Sequence, residues 1–406
     1  MQKRTPLLSL AMATVLSIGG TRLSAIAIPW LVLTTTGSPV LTGLVGFVEM
    51  LPYVLAKALG GPLIDRLGAR RVAIWCDCVS SIAVAIVPIL YLSGWLSFWA
   101  LLPAVAVVGV LRAPSDASKQ ALVPTIAAMA EVPLERVTGI LGASDRLAGT
   151  LGAAGGGALI ALVGPGPALL LNAVFFLLSA LVLAVGVSAT RPTGQEAPEN
   201  YCQQWVAGWH YLRSDPVLIC LVLMIAFTNL FDQAYAIVLL PVWVREAGLD
   251  VSWVGIFLAT FSAAAIVGAS VAAAVAERVP RLVIYIIGFF FAGPMPMAIL
   301  AISAPIPAIL AVLLVSGFAA GFLNPIIGAV LFERIPAPLV GRVIALVGAL
   351  TWGLMPFGGL YAGLLVDNLG IAAGLGITAA LYLVAALSPL AIPSFRQMNR
   401  QRPEPA

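Results

Sequence analysis

Glu49, Asp116, Asp145 and Asp232 are carboxyl groups set deep within long apolar runs. Five cations share those runs or their edges: Arg22, Lys57, Arg112, Lys119 and Arg146. A charge among apolar side chains in lipid is costly, so such residues either mark a functional pathway or hold one another in static pairs. Burial disfavours an ionised carboxyl and a neighbouring cation favours it. A carboxyl that exchanges between two such surroundings can take up a proton on one side and release it on the other.

Asp145 is the first candidate for that chemistry. It stands near the middle of its run, and Gly142, Gly149, Gly152 and Gly156 share its helical face, so a partner helix or a cavity can come close. Arg146 is adjacent in sequence and points elsewhere. Glu49 is the second candidate; Glu49, Tyr53 and Lys57 form one face, and Pro52 can bend that helix. Its alternative is a static pair with another charge. Asp116 follows Arg112 by one turn, a spacing that predicts a static pair. Asp232 sits among Phe227, Asn229, Phe231, Gln233 and Tyr235, a mixture that suits an amphipathic or cationic ligand. Its alternative is a pair with Arg22 or another arginine of the first half. Asp77 and Asp367 lie nearer run ends, where a side chain can reach water.

The elements that must position these groups are twelve apolar runs, near residues 7–34, 41–63, 72–92, 97–119, 137–163, 167–189, 216–244, 251–275, 282–302, 305–331, 342–366 and 371–393. Each approaches the ~20 residues that a helix needs to cross a bilayer. With 61% hydrophobic and 9% charged residues, the solvent of this chain is lipid. The first run is too long for a signal-peptide core and is expected to be the first transmembrane helix. Of the 21 basic residues, fifteen fall on one side if both termini are cytoplasmic, and only Arg245 falls on the other. That bias predicts cytoplasmic termini. It accounts for the net charge of +4 without nucleic acid as a partner. Four cysteines and one histidine, His210, show no metal-ligand spacing, so neither a metal nor a disulfide framework is expected.

The polar stretch 190–215 separates residues 1–189 from 216–406, six runs on each side. Its first half reads as a linker, and its second half, with Trp205, Trp209 and Tyr211, as a short interfacial helix. The halves repeat. At a shift of about 212 residues, Pro29 falls on Pro241 and Asp65-Arg66 on Glu277-Arg278; at about 206, Gly152 falls on Gly358 and Gly164 on Gly370. An even number of runs per copy makes the repeats parallel, with a binding site expected near mid-membrane between halves that can rock.

Between the second and third runs lies GGPLIDRLGARRV, Gly60 to Val72. It carries Gly61, Asp65, Arg66, Gly68, Arg70 and Arg71, and a degenerate copy, AERVPRL, follows the eighth run. This motif resembles the loop signature of the major facilitator superfamily. With AIPWLVL, KQALVP and the glycine-rich fifth and eleventh runs, the chain is similar to the branch holding macrolide-type and multidrug efflux pumps and enterobactin-type siderophore exporters. The resemblance implies an all-α fold of twelve transmembrane helices in two six-helix bundles, with the loop latching the halves. It implies that Arg112 takes part in proton transfer or substrate contact, and that Arg22 faces the same cavity. Two departures stand out. The fifth run has Gly152-Ala153 where such antiporters carry Gly-Pro, and Thr21-Arg22 stands where many relatives carry an acid.

The expectation is a monomeric antiporter of a bacterial inner membrane, exporting lipophilic or amphipathic drugs in exchange for protons without a cofactor. Asp145, Glu49 and Asp232 are the coupling candidates. Arg22, Arg112, Asp116, Phe231, Tyr235, Asn324 and Trp352 are the substrate-cavity candidates. The alternatives are a siderophore or metabolite exporter, an importer, or a lipid flippase on the same fold. No phosphate-binding GxxxxGK[ST] loop, HExxH or GxSxG is present, which argues against ATP drive and intramembrane hydrolysis.

Overall fold

The computed structural model describes residues 4–188, 201–275, 280–336 and 339–398. Twelve helical spans long and apolar enough to cross a membrane account for almost all of it, and no strand occurs among the described residues. The chain forms two compact units, Met1–Glu199 with Leu240–Ala259, and Asn200–Leu239 with Thr260–Ala406.

The first unit contains α1 (Thr5–Thr36), α2 (Pro39–Leu59), the short α3 (Gly61–Leu67), α4 (Ala69–Leu92), α5 (Phe98–Ala121), α6 (Val123–Ala130), α7 (Leu134–Val163) and α8 (Pro165–Gly186). Local chemistry sets the ends. Ser38 and Ser97 cap α2 and α5 by accepting from the amides of Leu41 and Ala100. Gly37 ends α1 at φ 72°, a left-handed conformation that only glycine adopts cheaply. α1 packs against α7 and α8, α4 against α5 and α8, and α2 against α5.

The second unit begins with α9 (Tyr201–Ser214), the helix expected from the aromatic half of the central stretch. Leu212 of α9 joins a core with Leu218, Val222, Val343 and Val347. The spans that follow in the chain are interrupted. α10 (Pro216–Ala234) passes through a π-helical segment, Tyr235–Leu239, into α11 (Leu240–Glu246). After α12 (Ser252–Val275), α13 (Arg281–Ala292) breaks at Gly293 before α14 (Pro294–Ala301). α11 with the start of α12, within Leu240–Ala259, belongs to the first unit. α15 (Ile306–Ala320) is followed by α16 (Leu323–Arg334), and α17 (Val340–Gly353) breaks at Leu354 before α18 (Met355–Leu369); α19 (Ile371–Ala391) is continuous. Pro294 and Pro356 lie in the first turns after the breaks, where a missing N–H costs nothing. Pro241 follows the π segment, a usual relief for a ring pressing on the preceding turn.

The sequence repeat is visible in the backbone. Gly164 and Gly370 join consecutive helices at φ 84° and 78°. A Cβ added at Gly152 would meet Gly19 and Arg22 of α1, and one at Gly358 would meet Leu230, Gln233 and Ala234 of α10. The same glycine thus packs on the first helix of its own half in each copy. The repeat also diverges: Pro29, the counterpart of Pro241, sits in an unbroken α-helix, and α4 and α7 run through where their counterparts break.

Candidate functional site

The intramembrane charges of the first unit lie on α1, α2, α4, α5 and α7. Gly109 allows α5 to ride on α2, because a Cβ there would collide with the backbone carbonyl of Glu49. Three residues on, Arg112 Nη1 donates to Glu49 Oε1 at 2.7 Å, with both side chains nearly buried (10% and 13% exposed). The Arg112 guanidinium also lies over the Tyr53 ring, 4.4 Å from its centroid, and Lys57 Nζ lies 5.8 Å from that centroid. Arg112 is therefore held by Glu49 and Tyr53, and Asp116, its expected static partner, stands within electrostatic range of it without a hydrogen bond to it among the described residues. The Tyr53 hydroxyl instead reaches Asp116, which stands within electrostatic range of Lys119, Arg112, Asp77 and Lys57. Glu49 has the static partner that was its alternative reading.

Asp77 departs further from expectation. It is not at a wet helix end: it is 0% exposed. Lys119 Nζ stands 2.9 Å from its Oδ2, and Ser115 Oγ and Ser179 Oγ each donate to the carboxylate at 2.6 Å. α4, α5 and α8 are pinned together there. Serine spacing was the available signal: Ser115 lies one turn before Lys119 on the same helix.

Asp145 has a different setting. It is exposed at mid-helix on α7, and its nearest charges are Arg22 and Arg146. Gly149, Gly152 and Gly156 all face α1, at Arg22, Gly19 and Leu23, so the glycine face does admit a partner helix. Gly142 has nothing near it. Arg22 is itself exposed and lies within electrostatic range of both Asp145 and Arg112. Of the unit's intramembrane acids, Asp145 is the one both accessible and beside an accessible guanidinium.

In the second unit, Tyr382 of α19 donates its hydroxyl to Asp232 Oδ2 at 3.4 Å. No cation pairs with Asp232 among the described residues. Phe231 is buried, its ring centroid 5.9 Å from those of both Tyr361 and Tyr382, so it is a packing residue behind the acid rather than a free cavity wall. The Tyr235 hydroxyl is buried without a hydrogen-bond partner among the described residues. Asn324 is exposed near the start of α16 and Trp352 half-buried near the end of α17; neither supplies the hydrogen bond that Asp232 accepts.

The loop motif is a helix, α3, closed by Gly68 at φ 85°. Arg70 donates at 2.6 Å to the carbonyls of both Val187 and Ala184, capping the end of α8. Arg66 and Arg71 are exposed, and Gly61 has open space around it. The side chain of Asp65, and residues 276–279 with the acid and first arginine of the degenerate copy, lie outside those described.

Twelve apolar spans in repeated halves, with ionisable side chains inside several of them, define a multi-pass membrane protein. A model of the Major Facilitator Superfamily matches residues 10–268 and, overlapping, 222–406. The chain belongs to that superfamily of transporters, and is not an enzyme. It is 28% identical over 401 residues to the multidrug efflux pump Tap of Mycobacterium tuberculosis, covering 98% of this chain and 95% of that one. It is 27% identical over 409 residues to Tap of Mycolicibacterium fortuitum, covering 98% of each. Among solved structures, a mutant of the nucleoside transporter NupG matches with a TM-score of 0.79 at 14% identity, over 95% of this chain and 99% of that one. A bacterial homolog of the human lysosomal transporter Spinster, inward-facing and unoccupied, matches at 0.74 and 15%, over 98% and 99%. At such identities these two share the fold.

Proposed function

We propose that this chain is a proton-coupled antiporter that exports lipophilic or amphipathic drugs by alternating access across a bacterial inner membrane. The full-length likeness to pumps named for multidrug efflux supports the direction and the substrate breadth. The basic bias of the loops supports cytoplasmic termini. The observation that carries the coupling is the setting of Asp145. Glu49 and Asp77 are each held in an ion pair with a cation of α5. Asp145 is exposed, and the exposed guanidinium of Arg22, a long side chain, stands within electrostatic range of it. When Arg22 lies close the carboxylate is favoured, and when it swings away the protonated form is.

Inverted membrane vesicles with an acid interior test the reading. A panel of macrolides, tetracyclines, aminoglycosides, lipophilic dyes and a catecholate siderophore is added while a fluorescent pH probe is followed. Proton release triggered by drugs or dyes is the expected result. A response to the siderophore alone would replace drug export with siderophore export. Silence across the panel, with protein present in the membrane, would refute drug–proton exchange for these classes.

A further inference from the structure

At the end of the second unit where α9 lies, the described acids are both engaged. Arg334, the last residue of α16, donates to both oxygens of Asp215 at 2.7 and 3.0 Å. Its Nη1 also reaches the Gln397 carbonyl at 3.2 Å, and its own carbonyl accepts from the Tyr211 hydroxyl of α9. Glu333 accepts from both Nη atoms of Arg281 at 2.6 and 2.7 Å. Three guanidiniums around this network have no such partner. Arg213, Arg342 and Arg396 are exposed and make no ion pair among the described residues.

The network holds the three together. Arg213 stands two residues before Asp215, and Arg396 one before Gln397, so Arg334 ties both segments to the end of α16. α9 lies on the first turn of α17: a Cβ added at Gly208 would come 3.8 Å from the Arg342 Cβ, and Leu212 shares a core with Val343. Arg342 is in that first turn, which contains no acid. The helix dipole disfavours a cation there, and a neighbouring anion reverses the penalty. The outer face of α9 is mixed. Val206, Trp209 and Arg213 fall within about 60° of one another, with Val206 66% and Trp209 43% exposed. Exposed apolar and aromatic groups beside a cation suit a helix lying at headgroup depth. The first half is different: Arg136, the counterpart of Arg342 at the 206-residue shift, follows Glu131 and Glu135 in sequence.

We infer that this end of the second unit binds an anionic phospholipid of the cytoplasmic leaflet. Arg213, Arg342 and Arg396 hold the headgroup phosphate, and Trp209 and Val206 lie against the glycerol and upper acyl chains. Guanidiniums match phosphate oxygens in geometry as well as charge, and basic pockets at cytoplasmic helix ends take acidic headgroups. A soluble anion would use the arginines and leave Trp209 and Val206 in water. The bound lipid fixes α9, which follows the central polar stretch, at the membrane surface. The inference rests on the cytoplasmic placement of this end and requires neither export nor a proton gradient.

Native mass spectrometry of the purified full chain tests the site, with phosphatidylglycerol, cardiolipin or phosphatidylcholine of matched acyl chains titrated in detergent. Wild type retains both anionic lipids in preference to phosphatidylcholine. A basic residue near an acidic lipid surface changes binding about fivefold, so Arg213→Gln, Arg342→Gln and Arg396→Gln together should weaken the tightest-bound anionic lipid about a hundredfold. The corresponding triple Lys variant keeps the charge, stays within a few-fold of wild type and shows that the fold is intact. Arg136→Gln binds as wild type does. Equal retention of phosphatidylglycerol by wild type and the triple Gln variant would overturn the proposal, as would phosphatidylcholine binding as tightly as phosphatidylglycerol. Displacement of phosphatidylglycerol by millimolar inorganic phosphate would also overturn it, by assigning the arginines to a soluble anion. Vesicles that pump drugs while the purified protein shows no preference for anionic lipid leave the efflux reading standing and remove the site; the reverse pair of results removes efflux and keeps the site.

Discussion

The Asp77–Lys119 pair provides the sharpest energetic test of how the first unit is held together. Asp77 is fully buried, with Lys119 Nζ at 2.9 Å and two serine hydroxyls at 2.6 Å. Removing one member of a buried ion pair typically costs about 3–5 kcal/mol, because the other charge is left uncompensated. The two single substitutions should differ. In Lys119→Met the carboxylate keeps the hydroxyls of Ser115 and Ser179, each a charge-assisted bond worth about 1.5–3 kcal/mol. In Asp77→Asn the ammonium of Lys119 exchanges its carboxylate for a neutral amide oxygen, its Nζ has no other hydrogen-bond partner among the described residues, and only Asp116 is left within electrostatic range. Asp77→Asn is therefore expected at the upper end of the range and Lys119→Met at the lower. For a unit of this size each kcal/mol shifts the melting temperature by about 2–4 °C, so the singles should melt about 6–20 °C below wild type. The double variant Asp77→Asn/Lys119→Met removes both charges and should recover at least half of that loss. Thermal unfolding followed by fluorescence-detected size exclusion reads all three. Singles within 2 °C of wild type, or a double as damaged as the sum of the singles, would refute the argument that this pair is a mutually compensated buried charge.

Three further outcomes follow from the same geometry. Asp145→Asn should abolish drug-triggered proton release in inverted vesicles while the protein remains monodisperse; normal pumping would move the coupling role to Asp232 or Asp116. A Cβ at Gly157 would come within 2.9 Å of the Gly255 Cα, so Gly157→Val should push that segment of α12 off α7 and lower transport at least about tenfold; a wild-type rate would show that this approach is dispensable. Arg70→Ala removes two bonds to the last carbonyls of α8 and should lower stability by about 1–3 kcal/mol, read by melting temperature; an unchanged melting temperature would show that the cap is dispensable.

Much of the fold can be read from local composition, because lipid imposes a length and an apolarity on every span separately. The twelve spans, the parallel repeat and the glycine turns at Gly164 and Gly370 are therefore legible without knowing which helix touches which. The same is true of the candidate acids as a set, since any charge in such a run is anomalous. What tertiary structure decided is their partners. Glu49 and Arg112 are 63 residues apart, and they meet because Gly109 allows two helices to close on each other. Spacing along one helix suggested Asp116 for Arg112, but the crossing of α2 and α5 offered a better-placed carboxylate. Asp77 looked like a wet helix end and is the deepest charge of its unit, because α8 and α5 close over it with Ser179 and Lys119. Helix breaks likewise escape local reading: Pro29, Pro88 and Pro114 lie inside continuous helices, whereas interruptions occur at the π segment before Pro241 and before Pro294 and Pro356. A proline removes one hydrogen bond wherever it stands, and only the surrounding helices determine whether the backbone bends smoothly, bulges or parts.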